Sequence, residues 1–159
     1  MSLGRMMAEA FTAEFAGFVG EVEPRLRRAL IARWGGDLGR DAAADALIYA
    51  WRHWDKVKGM DNPAGYLYRV GVNSVTPQAR IPVVVGLPNS EEPWVEPALE
   101  PSLKALSDNQ RTAVVLHHGF AWTYEEIAKM LDASVSTVRT HIDRGMAKLR
   151  VALEVRIDG

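Results

Sequence analysis

Six side chains near the C-terminal end, Ser136, Thr137, Arg139, Thr140, Arg144 and Lys148, fall on successive turns of what reads as one helix. Beneath them Val135, Val138, Ile142, Met146 and Leu149 form a single apolar stripe. The polar set is chemically specific. An arginine fork matches the two acceptors on a guanine edge, hydroxyls bond bases or phosphates, and a lysine suits a phosphate. From Thr137 to Arg150 there are four basic residues against the single acid Asp143, although the whole chain carries a net charge of −1. A local basic face, rather than total charge, is what phosphate contacts require. The plainer alternative is a solvated helix surface.

The preceding residues must position this helix. Thr123 stands three residues before Glu126, a capping box that opens a helix carrying Ile127, Ala128 and Leu131. Asp132-Ala133-Ser134 breaks that helix; Asp132 tolerates a left-handed turn and Ser134 can cap the next helix. Two helices joined by three residues are a common means of setting one helix in the major groove of DNA. Arg111 lies further back, either a phosphate contact or an ordinary surface residue.

A chain of 159 residues makes one ordinary domain or two small ones, and 48% apolar with 25% charged residues is usual for a globular protein. No apolar run approaches the roughly 18 residues of a membrane span, so membrane insertion is not expected. No secretion signal opens the chain, and cysteine is absent, which excludes disulfides, thiolate metal sites and cysteine catalysis. A cytoplasmic location is expected. The four histidines show no metal-ligand spacing, and no phosphate-cradling glycine loop or nucleophile motif occurs. No cofactor, metal or enzymatic activity is expected.

The chain reads as all-α: two small helical domains joined by a Pro-rich linker, the C-terminal one a helix-turn-helix. Phe11, Phe15, Phe18, Val19 and Val22 form one helical face. Pro24 is expected in the first turn of a second helix that ends at Gly35-Gly36. A third is expected from about Asp41, with Ala44, Leu47, Ile48, Trp51 and Trp54 on one side and the two tryptophans, which share a face with Leu47, in the core; a fourth runs from Pro63 to Ser74 behind the cap Asn62. Six prolines between Thr76 and Pro101 exclude helix there, and Glu91, Glu92, Glu96 and Glu100 face Arg80 alone. The expected divisions are 1–76, a linker 77–101, and 102–159, the last opening on a second capping box, Ser107 to Gln110.

These residues resemble the two-domain extracytoplasmic-function sigma factors of bacterial RNA polymerase, of the sigma-70 family. Leu106-Ser107, Gln110-Arg111, Val114-Val115-Leu116, Thr123, Glu126-Ile127-Ala128, Leu131, Ser134 to Arg139, Arg144-Gly145 and Lys148 to Arg150 resemble the family's fourth region, which reads the −35 element. Asp41 to Trp54 and Pro63 to Arg69 with Asn73 resemble its second region, which docks on polymerase and captures melted −10 DNA. Effector domains of the LuxR type share a run like Thr137 to Ile142.

The resemblance implies −35 contacts by Ser136, Thr137, Arg139, Thr140, Arg144, Lys148 and Arg111, and −10 contacts by Tyr66, Tyr68, Arg69 and Asn73. Of the two tyrosines, two apart on a helix, one is expected to be buried. Asp45, Leu47, Ile48 and Arg52 fall in the segment like the polymerase-binding helix; the alternative is an amphipathic core helix. The implied partners are core RNA polymerase, promoter DNA and an anti-sigma protein. One departure stands out: after Asn73 the family usually continues with several arginines, whereas Ser74 to Arg80 holds Pro77 and a single positive charge. Competing readings are a helix-turn-helix regulator that never joins polymerase, and a sigma-like decoy that binds polymerase or anti-sigma without opening promoters.

Overall fold

A computed structural model describes residues 2–76 and 99–157, with no strand among them. The helices are α1 (Leu3–Trp34), α2 (Gly36–Arg52), α3 (Trp54–Val57), α4 (Pro63–Ser74), α5 (Leu99–Lys104), α6 (Asp108–Val114), α7 (Tyr124–Leu131) and α8 (Val135–Ile157); a π-helical turn, Val115–Gly119, extends α6. Most of the expected linker, including its apolar stretch from Ile81 to Leu87, lies outside the described residues. Its last residues do not remain extended, because Leu99 opens α5 with Pro101 near the helix start, where a missing N–H costs nothing.

The first two expected helices are one. Pro24 sits inside α1 rather than at a helix start. A proline removes only its own bond to the carbonyl four residues back. The apolar ridge Phe15, Phe18, Val22, Leu26, Ala29 and Leu30 continues in phase across it and packs on the common core, which outweighs one lost bond. Gly35, at φ 89°, turns the chain straight into α2, five residues before the expected start. The buried face of α2 also differs from the expectation. Gly39, Ala42, Ala43, Ala46 and Ala50 face inward, while Ala44 and Ile48 are exposed and Leu47 is half-buried. Small residues win the inner face because α1 and α2 cross closely. A β-carbon on Gly39 falls 2.5 Å from the Ile31 Cα. Trp54 is buried as expected, whereas Trp51 is 46% exposed and rests edge-on against Phe11 and Phe15.

The two halves share one continuous core. α6 lies against α1, and α7 against α4. Arg111 donates to the Arg33 carbonyl at 3.0 Å, Arg33 pairs with Asp108 at 3.4 Å, and Arg25 pairs with Glu126 at 2.6 Å.

Candidate nucleic-acid interface

The C-terminal helix pair is built as its local signals require. Thr123 Oγ1 accepts from the Glu126 N–H at 3.1 Å, and Glu126 Oε1 accepts from the Thr123 N–H at 3.0 Å. These bonds satisfy donors that a helix start leaves orphaned. The Thr123 N–H is also the main reason that the Glu126 carboxyl titrates below the usual carboxylate range, with Arg25 adding to the effect. Asp132 adopts the left-handed conformation at φ 53°, and Ser134 Oγ then accepts from the Thr137 N–H at 3.1 Å to start α8.

α8 is anchored by Val138, Ile142 and Leu149, all buried, each worth about 1.5–3 kcal/mol as an upper estimate. Gly145 is buried too, where a β-carbon falls 2.7 Å from Val114 Cγ2, so α6 and α8 approach closely. Val135, at the exposed start of the stripe, is 36% accessible.

Ser136, Thr137, Arg139, Thr140, Arg144 and Lys148 are all exposed on the opposite side. Their hydroxyls are partly engaged. Ser134 Oγ donates to Thr137 Oγ1 at 2.8 Å, and Thr140 Oγ1 donates to the Ser136 carbonyl at 3.0 Å, which leaves its lone pairs free to accept. Lys148 Nζ donates to Gln110 Oε1 at 3.0 Å, which holds it beside the start of α6. The Arg139 guanidinium carbon lies 5.5 Å from the Tyr124 ring centroid.

Arg111 does not join this face. Only 5% exposed, it ties α6 to α1 through the Arg33 carbonyl and pairs with Asp108 at 2.8 Å. In this arrangement the packing of α6 on α1 makes it a buried structural tie, neither the surface residue nor the open phosphate contact that were the two expectations.

On α4, Asn73 and Arg69 are exposed and Tyr66 is half-buried. Tyr66 Oη lies 3.0 Å from Tyr49 Oη and accepts from Lys56 Nζ at 3.3 Å. Those two bonds lower the pKa of Tyr66, Tyr49 contributing most, while the bond to Tyr66 is the largest cause that raises the pKa of Tyr49. Tyr68 is the buried member of the pair, 7% exposed beside Arg33, Thr112 and Asp108, and burial raises its pKa. With α6 covering it, Tyr68 is not open to DNA in this arrangement, a second departure from the expected contacts. On α2, Asp45, Ile48 and Arg52 form an exposed face beside Trp51, with Leu47 at its half-buried edge.

Residues that periodicity did not single out complete the picture. His117 Nδ1, in the π turn, bonds the Trp122 carbonyl at 2.8 Å, and its ring lies 4.7 Å from that of Tyr124. Asn62, expected only as a cap, also donates to the Lys129 carbonyl at 2.8 Å. Neither cross-element contact has a signal in residue spacing.

Fold and surface together define an all-α protein whose helix-turn-helix presents a basic, hydroxyl-bearing helix. The profile of sigma-70 region 4 matches residues 98–149. An RNA polymerase sigma-E factor of Streptomyces avermitilis is 30% identical over 128 residues, covering 74% of this chain and 72% of that protein. A namesake from Streptomyces antibioticus is 30% identical, over 74% of this chain and 71% of its own. Among solved structures, the sigma factor RpoE of Bartonella quintana, in complex with the anti-sigma factor NepR, shares the fold with a TM-score of 0.59 at 22% identity; the match covers 89% of this chain and 98% of that one. The chain belongs to the RNA polymerase sigma factors of the sigma-70 family, in the extracytoplasmic-function group.

Proposed function

We propose that the chain joins core RNA polymerase in the cytoplasm and directs it to promoters, acting by binding alone and not as an enzyme. The part from α5 to α8 reads the −35 element and the part from α1 to α4 docks on polymerase and meets the −10 element. One observation carries this reading: Arg139 and Thr140 stand exposed on α8 while Val138 and Ile142 anchor it from beneath. Such a helix can enter a major groove without losing its packing. Arg139 is the base reader, through a bidentate pair with guanine. Arg144 and Lys148, further along, meet phosphates. Asp45, Ile48 and Arg52 supply the polymerase face, and Arg69 and Asn73, with the Tyr66 ring, the −10 contacts. An anti-sigma protein is a further expected partner.

In vitro transcription with core polymerase tests this. Promoter-specific product is expected. A second reading is favoured by the burial of Tyr68 and by Pro77 after α4: a decoy that binds polymerase or anti-sigma and opens nothing. Polymerase binding without product would select the decoy, and DNA binding without polymerase binding would select a separate regulator.

A further inference from the structure

The exposed reading arginine is not free to point anywhere. Its guanidinium carbon lies 5.5 Å from the Tyr124 ring centroid, within the distance at which a cation is attracted to an aromatic face. Tyr124 is the first residue of α7, so its backbone is fixed by the Thr123 cap. Its ring also packs against that of His117, 4.7 Å away and tilted by 41°. His117 is held in turn by the Trp122 carbonyl, and Trp122 itself is buried, with its N–H donating to the Leu116 carbonyl at 2.9 Å. A chain of contacts thus runs from the core, through two tilted rings in contact, to the guanidinium of a side chain on a different helix.

We infer that Tyr124 is a specificity-determining positioning residue: its ring sets the direction of the Arg139 fork before DNA arrives. The inference rests on the proposed role of Arg139 in base reading. A long arginine side chain loses rotamer freedom when it forms a bidentate pair, and a surface that already holds it near the bound geometry reduces that loss. Only a base edge that matches the held direction gains from this. Phosphate contacts, made by groups elsewhere on α8, gain nothing. Tyr124 therefore governs discrimination between bases more than total affinity.

The test uses the full chain and a pool of short duplexes randomised over the −35 positions. Arg139→Ala identifies the position that Arg139 reads, as the one whose preference relaxes. Tyr124→Leu is expected to relax preference at that same position by about two- to five-fold, the size of an exposed cation–π contact. Tyr124→Phe, which keeps the ring, is expected to retain it. Tyr124→Leu added to Arg139→Ala is expected to change nothing more. Preference in Tyr124→Leu equal to that of the wild type, or a full additional loss on the Arg139→Ala background, overturns the proposal. If Arg139→Ala itself relaxes no position, the reading of Arg139 fails first and takes this proposal with it. A readout independent of mutant folding is the proton spectrum of the wild-type chain. The Arg139 δ protons are expected to be shifted upfield by the ring; unshifted resonances overturn the inference.

Discussion

The Asp132 carboxylate, on the left-handed residue between α7 and α8, lies 3.0 Å from the guanidinium of Arg69 on α4. The Asn62 amide donates to the Lys129 carbonyl nearby. The N-terminal half thus adds a bond at the end of the first helix of the helix-turn-helix, on a carbonyl that otherwise accepts a long bond, 3.4 Å, from the Asp132 N–H. It also occupies Arg69, to which the proposed function gives a −10 contact. In that reading, Arg69 must leave Asp132 before it meets a promoter phosphate.

The Arg69–Asp132 pair is exposed on both sides, at 61% and 62% of the side-chain surface. Its worth is therefore at most about 1 kcal/mol. A double-mutant cycle of Arg69→Ala and Asp132→Asn, followed by urea unfolding, is expected to give a coupling of that size that shrinks with added salt. Asparagine retains the left-handed turn, so only the charge is removed. A coupling of zero at low salt means that the pair does not hold the halves.

Arg111→Ala separates structure from DNA contact. Arg111 is bonded to a carbonyl of α1 and to a carboxylate of its own helix while nearly fully buried. Its loss is expected to cost about 2–3 kcal/mol of stability with −35 base preference unchanged. Unaltered stability with weaker DNA binding would restore it to the interface.

Glycines in α1 and α2 differ in what surrounds them. A β-carbon at Gly39 meets the backbone of Ile31 and Leu30, so Gly39→Ala is expected to destabilise by about 1–3 kcal/mol or more. Gly17, exposed within α1, has nothing within 4 Å, so Gly17→Ala is expected to stabilise by about 0.5–1 kcal/mol. Thermal melts of the two variants check the signs.

Glu126 links the helix-turn-helix to pH. Its pKa is lowered on folding, first by the Thr123 N–H and then by the other partners, Arg25 among them. A carboxyl lowered on folding contributes stability above its unfolded pKa, about 4.3, and loses it as pH falls through the lower folded value. Glu126→Gln keeps an acceptor for the Thr123 N–H and removes the charge. The wild type is expected to melt higher than this variant at neutral pH, with the gap closing in acid. A gap that stays constant from neutral to strongly acidic pH would contradict this origin.

Local signals were legible where one short stretch decides the outcome. Both capping boxes, the Asn62 cap, the left-handed Asp132 and the apolar stripe from Val138 to Leu149 all form as their residues suggest. The exposed hydroxyls and cations of α8 followed from that stripe. Pro24, the inner face of α2 and the fate of Arg111 were not legible. Each depends on what another helix brings to the spot: an apolar ridge in phase across the proline, a backbone near enough to admit only alanine and glycine, and a carbonyl of α1 waiting for a guanidinium. Spacing within one segment carries no record of such neighbours.

The most direct measurement of base reading is selection by the full chain, assembled with core polymerase, on promoters randomised across the −35 element. Wild type and Arg139→Ala are compared position by position. A loss of about 1–3 kcal/mol of discrimination confined to one base pair, with the remaining positions unchanged, is the expected result. Identical preferences and identical affinities for the two proteins would show that α8 does not read DNA through Arg139.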